Sequence, residues 1–244
     1  LKDYTVASVT PEIINPEIIK IIPTVNFKYD MNITTKTQGN LETLVRASIV
    51  KYSSTQLTKF EGIFRFSKFS AVVDETDKSI MSNISTIKMS RGLTPTLGSS
   101  VKYDIKFQNA FYNPGPAHVV PVVVSTGFVM NGNTNTLYFD DDGSGNLRTY
   151  YLTGTLKTYV SDTAGTVDYT TGAIAITALT INSVVNSDDT ITFTIIPSSN
   201  DLVPVRNQIL EIDSSNMVVV GAEDTIASGS SNAGAGYVTT TSYS

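Results

Sequence analysis

The stretch Gly165-Thr166-Val167-Asp168-Tyr169-Thr170-Thr171-Gly172-Ala173-Ile174-Ala175-Ile176 narrows the folding options most. Val167 and Tyr169 share one parity, Thr170-Thr171-Gly172 interrupts, and the alternation resumes at Ile174 and Ile176. A period of two on both sides of a short polar break reads as strand, turn, strand. Gly172 supplies the positive φ that a tight reversal needs, and Asp168 with the two threonines can hydrogen-bond to turn backbone. The same pattern recurs. Val101, Tyr103, Ile105 and Phe107 alternate, Val119 to Phe128 is an apolar extended run, and Leu137–Phe139, Leu147–Tyr151, Leu156–Val160, Leu179–Val185 and Ile191–Ile196 follow between turn clusters. Asp201 to Asp213 closes the series. Short strands spaced by turns predict an antiparallel β-rich domain over residues 99–213.

The first part of the chain reads differently. Thr5 to Val9 is expected to be extended, then Pro11, Pro16 and Pro23 punctuate, with Pro11-Glu12-Ile13-Ile14 echoed by Pro16-Glu17-Ile18-Ile19. A proline followed by glutamate suits a first helical turn, but the next proline arrives too soon for a long helix. Val25, Phe27, Tyr29, Met31 and Ile33 alternate as a strand whose other face carries Asn26, Lys28, Asp30 and Asn32. After Gly39, Asn40 is a candidate N-cap for a helix with Leu41, Leu44, Val45, Ser48, Ile49 and Tyr52 on one stripe, ending near Ser53-Ser54. A shorter helix is predicted over Ser67 to Asp74 with Phe69, Val72 and Val73 inward, and Phe60, Phe64, Phe66 and Phe69 are assigned to a core shared by helices and sheet. Ile80 to Met89 returns to extended structure. The fold class expected is α+β: a small strand-helix-helix-strand domain over residues 1–98, the antiparallel β domain over 99–213, and a flexible Gly/Ser/Thr/Ala-rich segment over 214–244 that a partner could order.

Charged residues make up 16% of the 244, below the usual ~25%, and the net charge is −5. That balance argues against binding a nucleic-acid backbone, which calls for a basic face. The absence of cysteine excludes disulfides and thiolate metal sites. No apolar run approaches the ~20 residues of a membrane-spanning helix. The chain opens at Leu1 without Met or a signal-peptide pattern, which is the expectation for a piece of a longer polypeptide.

Chemistry finds little to work with. A Ser-His-Asp triad would have to use His118, the single histidine, which sits beside an apolar run and lacks a Gly-x-Ser-x-Gly partner. Aligning Gly143 with the invariant glycine of an EF-hand loop places Asp140 and Asp142 at coordinating positions, but Tyr138 and Thr149 fall where carboxylates belong. Residues 140–146 are therefore read as a solvated hairpin loop, and Asp188-Asp189 and Glu223-Asp224 as solubilising turns. Gly143-Ser144-Gly145 lacks the rest of a dinucleotide fingerprint. No catalytic, cofactor-binding or metal-ligating residue is assigned.

Three stretches together carry a resemblance: Thr58-Lys59-Phe60-Glu61 through Phe66-Ser67-Lys68-Phe69 to Val73-Asp74, the Gly165–Ile174 hairpin, and Pro204-Val205-Arg206-Asn207-Gln208-Ile209-Leu210-Glu211-Ile212-Asp213. In order and spacing they resemble the C-terminal portion of the baseplate wedge proteins of contractile-tailed bacteriophages, in the wider baseplate J-like group. The resemblance implies a structural virion protein of the tail baseplate, not an enzyme, with no cofactor. Such proteins form homodimers, join neighbouring wedge subunits, and link wedges into a ring around the central hub. They support the shape change that triggers sheath contraction. Assembly in the host cytoplasm follows from the same resemblance, and neither nucleic acid nor membrane is an expected partner. The competing reading is a phage adhesin or carbohydrate-binding β module, suggested by 12 tyrosines and weakened by the lack of tryptophan.

Overall fold

The computed structural model describes residues 16–116, 120–205 and 207–225. The chain enters through β1 (Glu17–Tyr29), then α1 (Gln38–Tyr52), a π-helical turn (Ser53–Leu57), α2 (Phe66–Asp74) and β2 (Ile80–Leu93). Ten strands follow: β3 (Ser100–Lys106), β4 (Val123–Ser125), β5 (Phe128–Met130), β6 (Leu137–Asp141), β7 (Asn146–Thr153), β8 (Leu156–Asp168), β9 (Ala173–Val184), β10 (Ile191–Ile195), β11 (Gln208–Ile212) and β12 (Val218–Glu223).

Hydrogen bonding joins all twelve strands into one network. β1 runs antiparallel to β2 on one side. On its other side it runs parallel to β11 along Glu17–Ile21 and then to β12 along Thr24–Tyr29. Pro23 falls in the gap between those two partners, where a missing N–H breaks no ladder bond to either. β2 continues to β10, and β10 to β4. β5, β6, β7, β8 and β9 pair in a closed ring, a five-stranded barrel to which β3 is added through β9.

The α+β class expected from the sequence is corrected by this pairing: the structure is mostly β, with two α-helices among the described residues and a β-barrel. The helices are where the hydrophobic stripe placed them. What periodicity could not show is that the sheet continues beyond β2 into the barrel, and that β11 and β12 return from far along the chain to flank β1. The helices are thus one cover on one face of a long sheet.

Local chemistry explains the elements. In α1 the buried residues are Leu41, Val45, Ile49 and Tyr52, while Leu44 is largely exposed. The N-cap is Thr37, not Asn40: the Thr37 hydroxyl accepts from the Asn40 amide at 3.3 Å. In α2, Phe69 and Val73 are buried. Its amino end is closed from a distance, since Asp201 Oδ1 accepts from the Phe66 amide at 2.9 Å and Oδ2 from Arg65 at 2.7 Å. Tyr52, Phe64 and Phe69 form a ring cluster with centroids 5.4–6.3 Å apart. Phe60, assigned to that cluster from the sequence, is instead exposed. The barrel and its approach are filled by a stack of Phe128, Phe139 and Phe193, with centroids 4.6 and 5.5 Å apart.

The strand predicted through Met31 and Ile33 ends at Tyr29, with Met31 and Ile33 in the following turn and largely exposed. Of the extended run at Val119 to Phe128, the described residues 120–128 contribute Val123–Ser125 and the first residue of β5 as strand. Val218–Glu223, within the segment expected to be flexible, is β12. Residues 226–244 and the extended stretch expected at Thr5 to Val9 lie outside the described residues.

Candidate functional site

The hairpin joining β8 to β9 is built as its residues suggest. Asp168 Oδ1 accepts from the amides of Thr170 and Thr171, and Oδ2 from the Thr171 hydroxyl, which holds the carboxyl below the usual range. Gly172 has φ +67°, and a Cβ there would lie 2.0 Å from the Asn109 carbonyl oxygen. The turn is pressed against another backbone segment, and the Phe107 amide donates to the Gly172 carbonyl oxygen at 2.8 Å.

The acidic run is not a solvated loop. Asp140 and Asp141 end β6 with no exposure, and only Asp142 turns the chain, accepting from the amides of Ser144 and Asn146. Alternation along the strand sends the two buried carboxylates to opposite faces. Asp141 points inward, where it accepts from the amides of Val122 and Val123 at 2.7 and 2.8 Å and from the Tyr169 hydroxyl at 2.6 Å. Burial, and then the Asp141 charge, push the Tyr169 hydroxyl well above the ordinary phenol range. Asp140 points the other way. It receives Lys157 at 2.6 Å, Arg148 at 3.0 Å and the Tyr159 hydroxyl at 3.1 Å. Burial works against the Lys157 charge, but Asp140 outweighs it and raises the ammonium pKa. Lys157 also lies 4.2 Å from the centroid of Tyr150, and Arg148 4.2 Å from that of Tyr159.

Every carboxylate oxygen named in this pair is held by strong donors, so neither acid is poised to take a proton from a substrate. The cluster is a staple that ties β6 to β7, β8 and the segment before β4. Tyr150 and Tyr159 each have a ring face covered by a cation, which weakens the carbohydrate-platform reading at these two rings. Among the described residues no group of three or more His, Cys, Asp or Glu side chains is arranged around a common metal position. His118 lies outside the described residues.

The described residues also form an open sheet face and two concavities. α1 packs against β12 and α2 against β2, both on the face that buries Ile19, Ile21, Val25 and Phe27. The opposite face has no cover among the described residues. Register sets its rows: Ile84, Asn26 and Val220; Thr86, Thr24 and Val218; Ser82, Lys28 and Ala222. Ile84 is 75% exposed, and Val218 and Val220 are 44% exposed. The face continues over β10 as a trough of about 640 Å³ whose walls include Ile18, Ile22, Ser90, Thr192 and Thr194. A second concavity, about 770 Å³, lies between α1, the π-helical turn and α2, with Tyr52, Ile63 and Val72 among Lys51, Arg65 and Lys68.

The sheet edge beside this face is closed by side chains from α1. Glu42 Oε1 accepts from the Gly221 amide at 2.9 Å, and Arg46 donates to the Met217 carbonyl oxygen at 3.0 Å. The Gly221 bond, with help from Gln38, lowers the Glu42 pKa. A side chain at 221 would run into the Phe27 ring, because a Cβ there would lie 2.7 Å from it, so glycine lets β12 sit close over the core. Nothing in the local sequence pattern marks these edge contacts, because Glu42 and Gly221 are 179 residues apart.

Comparison with known proteins bears on this part of the chain. Residues 17–92 match the family of the C-terminal domain III of baseplate structural protein gp6. They run from the start of β1 almost to the end of β2, taking in both helices. Baseplate wedge protein gp6 of Enterobacteria phage T4 is 31% identical over 111 residues, which are 43% of this chain and 17% of that protein. The matched part thus spans less than a fifth of the relative. The resemblance to phage baseplate wedge proteins stands on both findings.

Proposed function

Taking kinship with phage baseplate wedge proteins as the premise, we propose that this chain is part of a structural subunit of a contractile-tail baseplate. It self-associates, joins neighbouring wedge subunits, and helps link wedges around the hub into a ring that carries the shape change before sheath contraction. It is assembled into the tail in the host cytoplasm and transforms no substrate. Within it, the helix-covered sheet of β1, β2, β11 and β12 makes the contacts, and the part from about residue 99 to 205 is a stiff support.

The observation that carries this reading is that the family-matched segment contains two strands, β1 and β2, of an uncovered sheet face. That face exposes Ile84, Val218 and Val220 among Thr, Asn, Ser and Lys side chains, the mix of apolar and polar groups that subunit interfaces use. The saturated Asp140 and Asp141 support the non-enzymatic half. Two measurements test it. Light scattering of the purified chain at increasing concentration is expected to show a dimer, and a strict monomer throughout contradicts self-association. A phage in which the gene is interrupted is expected to yield no complete baseplates, and normal, infective tails contradict the structural role.

A further inference from the structure

The outer face of β12, β1 and β2 shows which kind of partner it suits. β1 runs parallel to β11 and β12 on one side and antiparallel to β2 on the other, and a mixed sheet of this kind can leave one face open. Here, among the described residues, only the helix side is covered. Strand addition at the β12 edge is obstructed, because Glu42 and Arg46 already hold the Gly221 N–H and the Met217 C=O. Approach over the face is open.

The charges around it choose between occupants. Ile84 on β2 and Val218 and Val220 on β12 flank Thr24 and Asn26 of the central strand, and beyond these rows stand Lys28 beside Ser82 and Lys88 beside Ile22. Neither lysine is in an ion pair among the described residues, although the chain as a whole has a net charge of −5. The remaining lysine of the face, Lys20, lies opposite Glu211. A second copy docked face to face would bring the same lysine-bearing rim against this one, and like charges in an interface oppose it.

We infer that this face docks a different protein of the tail, one that presents apolar side chains ringed by carboxylates. The inference rests on the baseplate reading above and adds the chemistry of the partner. Self-association then uses another part of the surface.

The test is made in the intact phage protein. In one arm, p-benzoylphenylalanine replaces Ile84 and assembled tails are irradiated; the cross-linked partner is read by mass spectrometry. The expected product is a cross-link to another tail protein at a surface rich in Asp and Glu. A cross-link to a second copy, to residues 1–15 or 226–244 of the same chain, or to nothing overturns the inference. In the other arm, Lys28→Glu with Lys88→Glu is expected to lower incorporation into tails roughly tenfold, with unchanged circular dichroism and melting of the isolated protein. Normal incorporation of that variant also overturns it. If the unaltered protein is present in purified tails and either arm fails, only the docking surface falls. If it is missing from purified tails, the baseplate reading falls as well.

Discussion

In the barrel, charge is buried and saturated. On the outer face of β12, β1 and β2, Lys28 and Lys88 stand without an ion pair among the described residues. Asp140 and Asp141 have no exposure and together receive two cations, two backbone amides and two tyrosine hydroxyls. Lys28 sits beside Ser82 and Ala222 and Lys88 beside half-buried Ile22, and neither makes an ion pair among the described residues. A buried carboxylate is tolerated only when its donors are fixed in place, so the barrel end of the molecule has to be stiff. An open apolar face has no such demand within the chain. The difference separates residues that hold the fold from residues left for a partner.

The largest effect expected on stability is Asp141→Ala. It strands two amides and a tyrosine hydroxyl in the interior, and a loss of about 3–5 kcal/mol is expected by urea denaturation. A loss below about 1 kcal/mol would mean that the staple is dispensable and the contrast false. Next is Gly172→Ala, with a positive φ and the Asn109 carbonyl in the way; about 2–4 kcal/mol is expected in the same measurement. Glu42→Ala, at the sheet edge, should cost about 1 kcal/mol. Amide exchange at Gly221 should quicken in that variant while β6 and β7 amides stay protected, and equal quickening in both regions would erase the distinction.

A pH dependence sharpens it further. Lys36 donates to Asp77 at 2.6 Å and, against some burial, holds that carboxyl at about 2. Because the folded pKa lies below the ordinary carboxylate value, the stability it brings is present above about pH 4 and is lost as pH falls towards 2. With Lys36 half exposed, about 1 kcal/mol is expected after screening. Melting of the unaltered chain and of Lys36→Met, compared at pH 6 and pH 2.5, should show the difference between them shrinking at low pH. The smallest effect is Ile84→Thr, expected to change stability by less than about 0.5 kcal/mol. A larger loss would show that the face is already packed within the chain.

The sequence was most legible where one element answers to its own pattern. The stripe of Leu41, Val45, Ile49 and Tyr52 marked α1, and the alternation around Gly172 marked the β8–β9 hairpin with Asp168 in its turn. It was least legible where a residue's role depends on a distant partner. Asp140-Asp141-Asp142 looks like a loop because three acids in a row suit water, yet Lys157 and Tyr159, 17 and 19 residues on, bury the first of them. The fold class failed for the same reason. Periodicity reports strands and helices one at a time, and the pairing of β1 with β11 and β12 joins segments far apart along the chain. The candidate face was half visible, as the polar side of the strand around Asn26 and Lys28; the apolar contribution of Ile84, Val218 and Val220 needed the register.

The most direct measurement is electron cryo-microscopy of the intact tail at a resolution that traces side chains. Density for this chain is expected within the baseplate, with Ile84, Val218 and Val220 in contact with another protein and Asp140 and Asp141 enclosed as they are here. Density placing the chain outside the baseplate would contradict the structural role, and density inside it with that face open to solvent would contradict the docking face.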